Sequence, residues 1–104
     1  MERAQKKDWT IFSHHGIVLY HIIFNPDLTI LEIAQTTGLS ESWVRRIVSD
    51  LEDADIVRVE KRGVQNHYSV NPSARLRHPT QHHITIGDLV RGIRPPSEDP
   101  ASDA

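Results

Sequence analysis

Arg45 and Arg46, with Ser42 and Ser49 one helical turn to either side, are the side chains of this 104-residue chain suited to chemistry with a polyanion. An arginine fork takes guanine O6 and N7 together or clasps a phosphate, and Ser40 or Ser42 beside the unpaired N–H groups of a helix start can bind a backbone phosphate. Val44, Ile47, Val48 and Leu51 repeat at i, i+3, i+4 and i+7, so a helix over 41–54 buries them as one stripe and turns Glu41, Ser42, Arg45, Arg46 and Ser49 to the other side. Such a helix is about 21 Å long at ~1.5 Å per residue, enough to lay two turns in a major groove ~12 Å wide. Trp43 admits two readings, against a thymine methyl or sugar, or tucked against Thr36, Thr37 or Leu39 as core. A second group, Lys61 and Arg62 with Gln65 and Asn66 beside them, suits phosphates next to the groove, which add affinity and salt dependence without sequence information.

These side chains need elements to carry them. Ser40 is an N-cap for the helix just described, and Thr29 caps a shorter one before it, with Glu32 placed for a capping box and Ile30, Ile33 and Ala34 on one face. Thr36-Thr37-Gly38 ends that helix, because glycine supplies the left-handed conformation of a sharp exit, and Leu39 plugs the corner. Two helices joined through a glycine turn, one face apolar and the other polar, make a DNA-reading helix-turn-helix. Downstream, Ile56–Lys61 and His67–Asn71 alternate as strands around a loop, Arg62–Asn66, in which Gly63 and Asn66 tolerate positive φ. With Arg58, Lys61 and Arg62 on its flanks, this hairpin reads as a basic wing.

Upstream, Ser13 caps a helix through Phe24 whose apolar residues cover most of its circumference, leaving a face for a second copy of the chain after the core is served. Asn25-Pro26-Asp27 ends it. Thr85 caps a last helix striped by Ile86, Leu89, Val90 and Ile93. The expected dimer surface is Trp9, Phe12, Ile17 and Tyr20 from the first helix region with Ile86, Leu89, Val90 and Ile93 from the last. Residues 1–8 read as a flexible lead, 9–94 as the domain, and 95–104, with no apolar residue larger than alanine and proline, as a disordered acidic tail.

A chain of this length supports one core that buries roughly 60 to 65% of the unfolded surface. Its net charge of −2 argues against an unspecific polyanion binder, yet residues 43–78 hold seven basic and five acidic side chains while 79–104 hold two and four. The absence of cysteine excludes disulfides and thiolate metal sites and fits a reducing cytoplasm. The longest apolar run, Ile17–Phe24, is too short for a bilayer and is broken by His21, so no membrane partner is expected. His14, His15, His78, His82 and His83 would converge on a metal only if the terminal helices packed together. Members of each adjacent pair face apart and Pro79 disrupts the interval after His78, so neither a metal nor a cofactor is expected. No nucleophile elbow, phosphate-cradling glycine loop or HExxH is present and Glu52-Asp53 lies on an outer helix face, so no enzyme is expected.

The run from Ile33 to Val57 (IAQTTGLSESWVRRIVSDLEDADIV) resembles the "IA…GLS…V.R.V..LE.AGLV" pattern of bacterial transcriptional regulators of the MarR and ArsR type. Gly63, Asn66, Tyr68, Val70, Asn71 and Pro72 resemble the "G…N.Y.VNP" wing of small MarR-like members, as do Trp9-Thr10 and Leu76-Arg77-His78-Pro79. The resemblance implies a mainly α chain with a small β-hairpin (α+β), a winged helix-turn-helix whose N- and C-terminal helices form a dimer interface. It further implies a cytoplasmic homodimeric regulator of repressor type on double-stranded DNA, with a pseudo-palindromic operator whose half-sites lie ~34 Å apart. Five positions depart from that pattern: Trp43 replaces a small Ser or Thr, Asp50 a basic residue and Asp55 the glycine after the reader helix, while Val64 and Gln65 stand at the wing tip where an arginine is frequent. Two alternatives stay open, a winged-helix adaptor for a protein partner anchored by Trp43, and a His-based metal-responsive sensor. No small-molecule effector, operator sequence or target gene is legible.

Overall fold

A computed structural model describes residues 9–63 and 65–93. The expected lead (1–8), the tail (95–104) with residue 94, and position 64 of the wing lie outside the described residues.

Local caps fix where each helix begins. Ser13 opens α1, His14–Phe24, its hydroxyl accepting from Gly16 N–H at 3.3 Å. Thr29 and Glu32 close the reciprocal capping box of α2, Ile30–Thr37, with bonds of 3.0 and 2.9 Å. Gly38 leaves that helix at φ +81°, and Ser40 accepts from Trp43 N–H at 3.1 Å to open α3, Glu41–Asp53. Asp55 turns the chain out of α3 at φ 61°. The cost of that left-handed residue is offset by Asn71, whose Nδ2 donates to the Asp55 carbonyl at 2.9 Å and its carboxylate at 3.2 Å.

β1, Val57–Arg62, and β2, Gln65–Val70, pair antiparallel from Val57↔Val70 to Arg62↔Gln65. The expected five-residue loop is therefore shorter in the structure, the ladder running on to Arg62↔Gln65 and Gly63 leaving β1 at φ +65°. Asn66, expected in the loop, lies in β2 opposite Lys61. Beyond the wing, Ala74–Leu76 pairs back with Ile84–Ile86 through Leu76 N–H to Ile84 O at 3.0 Å and Ile86 N–H to Ala74 O at 2.7 Å. A 3-10 turn, Pro79–Gln81, lies within this closed segment, and Thr85 with Asp88 forms a second capping box at the start of α4, Ile86–Gly92.

Every helix and strand sends at least one side chain to a single core. Val18 and Ile22 of α1, Ile33 of α2, Val44 and Ile47 of α3, Val57, Tyr68 and Ile86 are each at most 1% exposed. Ile86 corrects the expected dimer surface: α4 is short and meets the core at its first turn, so this residue is consumed within its own chain. α2, the Gly38 turn and α3 form a helix-turn-helix, and β1–β2 is its wing. Among the described residues no helix is long and apolar enough to cross a membrane.

Candidate nucleic-acid interface

The buried stripe of α3 turns Ser42, Arg45, Arg46, Ser49 and Asp53 outward, all exposed. Charge is segregated along this face. Both arginines lie in the first two turns, whereas Asp50, Glu52 and Asp53 crowd the end, so phosphates are attracted to the N-terminal half and repelled from the last turn. Arg45 is held by Glu41 at 3.7 Å, an exposed i,i+4 pair. Ser40, counted among the phosphate contacts, already accepts from Trp43 N–H, which leaves its own O–H to donate.

Trp43 is 37% exposed and so is not the core residue that one reading of the sequence made it. Its Nε1–H donates to Nδ1 of His14 at 3.1 Å, and the two rings meet edge to face at 6.2 Å between centroids. Arg46 lies over the indole, its Cζ 5.9 Å from the ring centroid. One helical position along, His15 Nε2 meets Asp50 Oδ2 at 2.8 Å. Trp43 and Asp50, seven residues apart and so on one flank of α3, are thus both met by the first turn of α1. Sequence reasoning missed His14 and His15 as supports of the reader. The shared flank was legible, but nothing local says that α1 begins beside it.

His15 and His78 line one open hollow between the start of α1 and the segment after the wing, but the histidines are engaged one by one. His78 bonds Thr80 Oγ1 at 2.9 Å and His82 Nδ1 lies 3.3 Å from the Leu76 carbonyl, and no three His, Asp or Glu side chains gather as a metal site among the described residues.

On the wing, Lys61 and Arg62 are exposed, Arg62 reaching Glu60 at 3.3 Å and Arg58 reaching Asp55 at 3.8 Å. Gln65 and Asn66 are otherwise engaged. Gln65 Nε2–H donates to the Asp27 carbonyl at 3.2 Å, and Asn66 Nδ2–H to the Tyr68 hydroxyl at 3.4 Å. Two further bonds fasten β2 to the loop after α1, Tyr68 N–H to Pro26 O at 2.8 Å and His67 Nδ1 to Asp27 Oδ1 at 2.6 Å.

Away from this face, Trp9, Phe12 and Tyr20 are exposed, with Ile17, Leu89, Val90 and Ile93 partly so. Phe12, Leu19, Tyr20, Ile23, Leu89 and Ile93 line a small apolar hollow of about 50 Å³ between α1 and α4. Seven of the eight residues expected at a dimer contact are therefore at least partly accessible, Ile17 and Tyr20 on α1, Leu89 and Val90 on α4, Ile93 at its C-cap, and Trp9 and Phe12 ahead of α1, while Ile86 does not contribute.

Helix-turn-helix, wing and polar reader face together define a winged helix-turn-helix. Residues 18–58, from α1 to the start of β1, match the family described as winged helix-turn-helix DNA-binding. Among solved structures the chain is similar to CymR (YrzC), the global cysteine regulator of B. subtilis, at 26% identity and a TM-score of 0.45, covering 83% of this chain and 66% of CymR. No curated protein matches the chain.

Proposed function

We propose that this chain is a sequence-specific transcriptional regulator of double-stranded DNA, of the small MarR- or ArsR-like kind, of repressor type and acting as a cytoplasmic homodimer. The observation that carries the reading is the capped α3, which offers Ser42, Arg46 and Ser49 on one exposed face and is followed by a short wing that carries the exposed Lys61 and Arg62. Arg46 supplies base-edge contact, while Lys61 and Arg62 meet phosphates and set register. The dimer is supported by the apolar surface of α1 and α4, where Phe12, Tyr20 and Leu89 face solvent at least in part.

Selection from random duplexes tests this directly. Enrichment of two inverted half-sites ~34 Å apart, with a solution mass of two chains, is the expected result. Failure to enrich any motif at low salt overturns DNA reading, and a monomer selecting a single unrepeated site overturns the dimer. The adaptor reading draws on the four acidic against two basic residues of α3 and on the 37% exposure of Trp43. Its signature is that same failure at low salt.

A further inference from the structure

The first turn of α1 belongs to the reading apparatus. We propose that His14 is a positioning residue for sequence recognition, holding the Trp43 indole so that the ring carries Arg46 on the outward face of α3. The inference rests on the DNA-binding reading above and adds to it a residue outside the reader helix.

An indole has one donor and no acceptor, so its orientation is fixed by the place of its hydrogen-bond partner. That partner is His14 Nδ1, 3.1 Å away, with the imidazole meeting the indole at an interplanar angle of 90°. His14 is itself held in place. It is the first residue of α1 after the Ser13 cap, and the neighbouring His15 is bonded to Asp50 further along the same flank of α3. Two adjacent residues of α1 thus pin α3 at both ends of one flank, which sets its rotation as well as the indole.

Arg46 follows Trp43 by three positions and so lies over the same ring, 5.9 Å from its centroid. A guanidinium stacked on an aromatic face presents its N–H groups edgewise, and these remain available to a bidentate acceptor. Arg45 differs, because Glu41 stands 3.7 Å from it and competes for its donors. Among the described residues no carboxylate forms an ion pair with Arg46. The reader therefore has one arginine compensated within its own helix and one aimed by a ring that α1 holds. Trp43 acts as the platform that joins His14 to Arg46.

Two tryptophans give two indole N–H resonances, and Trp9→Phe assigns the Trp43 signal. In the full chain, His14→Ala is expected to shift that resonance and to lower the preference for a selected duplex over a scrambled one by about tenfold, the size of one bidentate base contact. Affinity for the scrambled duplex and its salt slope should stay within about twofold of wild type, because no phosphate contact is lost. His14→Asn, whose Oδ1 takes the place of Nδ1, should restore both resonance and preference, and Trp43→Phe should add no further loss to His14→Ala. A wild-type chain that selects a motif and keeps its full preference in His14→Ala overturns this inference alone, as does an unmoved Trp43 resonance. A wild-type chain that selects no motif overturns the DNA reading and this inference with it.

Discussion

His15 Nε2 and Asp50 Oδ2 stand 2.8 Å apart, joining the first turn of α1 to the third turn of α3 across 35 residues of sequence. A carboxylate only accepts, so Nε2 carries the proton. With side chains 43% and 51% exposed the pair is screened by water and contributes at most ~1 kcal/mol, so its effect is on the placement of α3 more than on stability.

Replacing Asp50 with the basic residue common at that position trades placement for charge. Asp50→Lys should lower the melting temperature slightly through the lost bond and the new cation beside His15. It should also strengthen binding to every duplex and steepen the salt slope by about one unit. Anisotropy titrations at several salt concentrations separate the two effects, and an unchanged slope would place residue 50 away from DNA.

On the DNA-binding reading, Arg46→Ala should cost roughly 1 to 3 kcal/mol of affinity for a selected operator and little on random sequence, the signature of a lost base contact. On the same reading, Lys61→Ala should weaken all duplexes alike and flatten the salt slope by about one unit, the signature of a lost phosphate contact. Equal losses on specific and random duplexes for both variants would contradict the division of labour between α3 and wing.

Core and contact surface are separable on α4 and α1. Ile86→Ala should destabilise the fold by about 2 to 5 kcal/mol, because a side chain 1% exposed leaves a cavity. On the dimer reading, Tyr20→Glu, at a side chain 37% exposed, should leave the fold intact and give the solution mass of a single chain. Chemical denaturation reads the first and solution mass the second.

Asp88 gives the fold a sign-defined response to acid. The Thr85 backbone N–H donates to its carboxylate at 3.0 Å and, with the Thr85 hydroxyl and the Arg91 guanidinium, holds its pKa below the ordinary 3.8. A depressed folded-state value means that the charged cap supports α4 fully above 3.8 and is lost as the pH falls through that value towards the lower one. Thr85 and Asp88 amide resonances should therefore hold steady from neutrality to mildly acidic pH and move only below it, and movement near neutrality would rule this cap out as the cause.

How far the fold can be read from sequence depends on the range of the interaction. Ser13, Thr29 with Glu32, Gly38, Ser40 and Thr85 are caps whose partners lie within three or four residues, and each sits where its chemistry places it. Asp55 in the left-handed region is equally local. The wing turn was misjudged because Gly63 and Asn66 both suit positive φ, and only pairing across the strands decides that Gly63 alone is used. Trp43 and His14 are 29 residues apart, so no periodicity or cap could match the indole donor to its imidazole acceptor. The two departures on the reader helix are met by two adjacent histidines, a compensation visible only once the helices are packed.

The three bonds that fasten β2 to the Pro26–Asp27 loop also bear on which duplexes fit. A wing sewn to the helical body at Tyr68, Gln65 and His67 cannot swing to follow DNA, so the gap between α3 and the basic tip is set before any encounter. On the DNA-binding reading, a fixed gap works as a gauge. Sequences that bend or narrow easily to that width are favoured at base pairs no side chain touches, and stiff ones are rejected there.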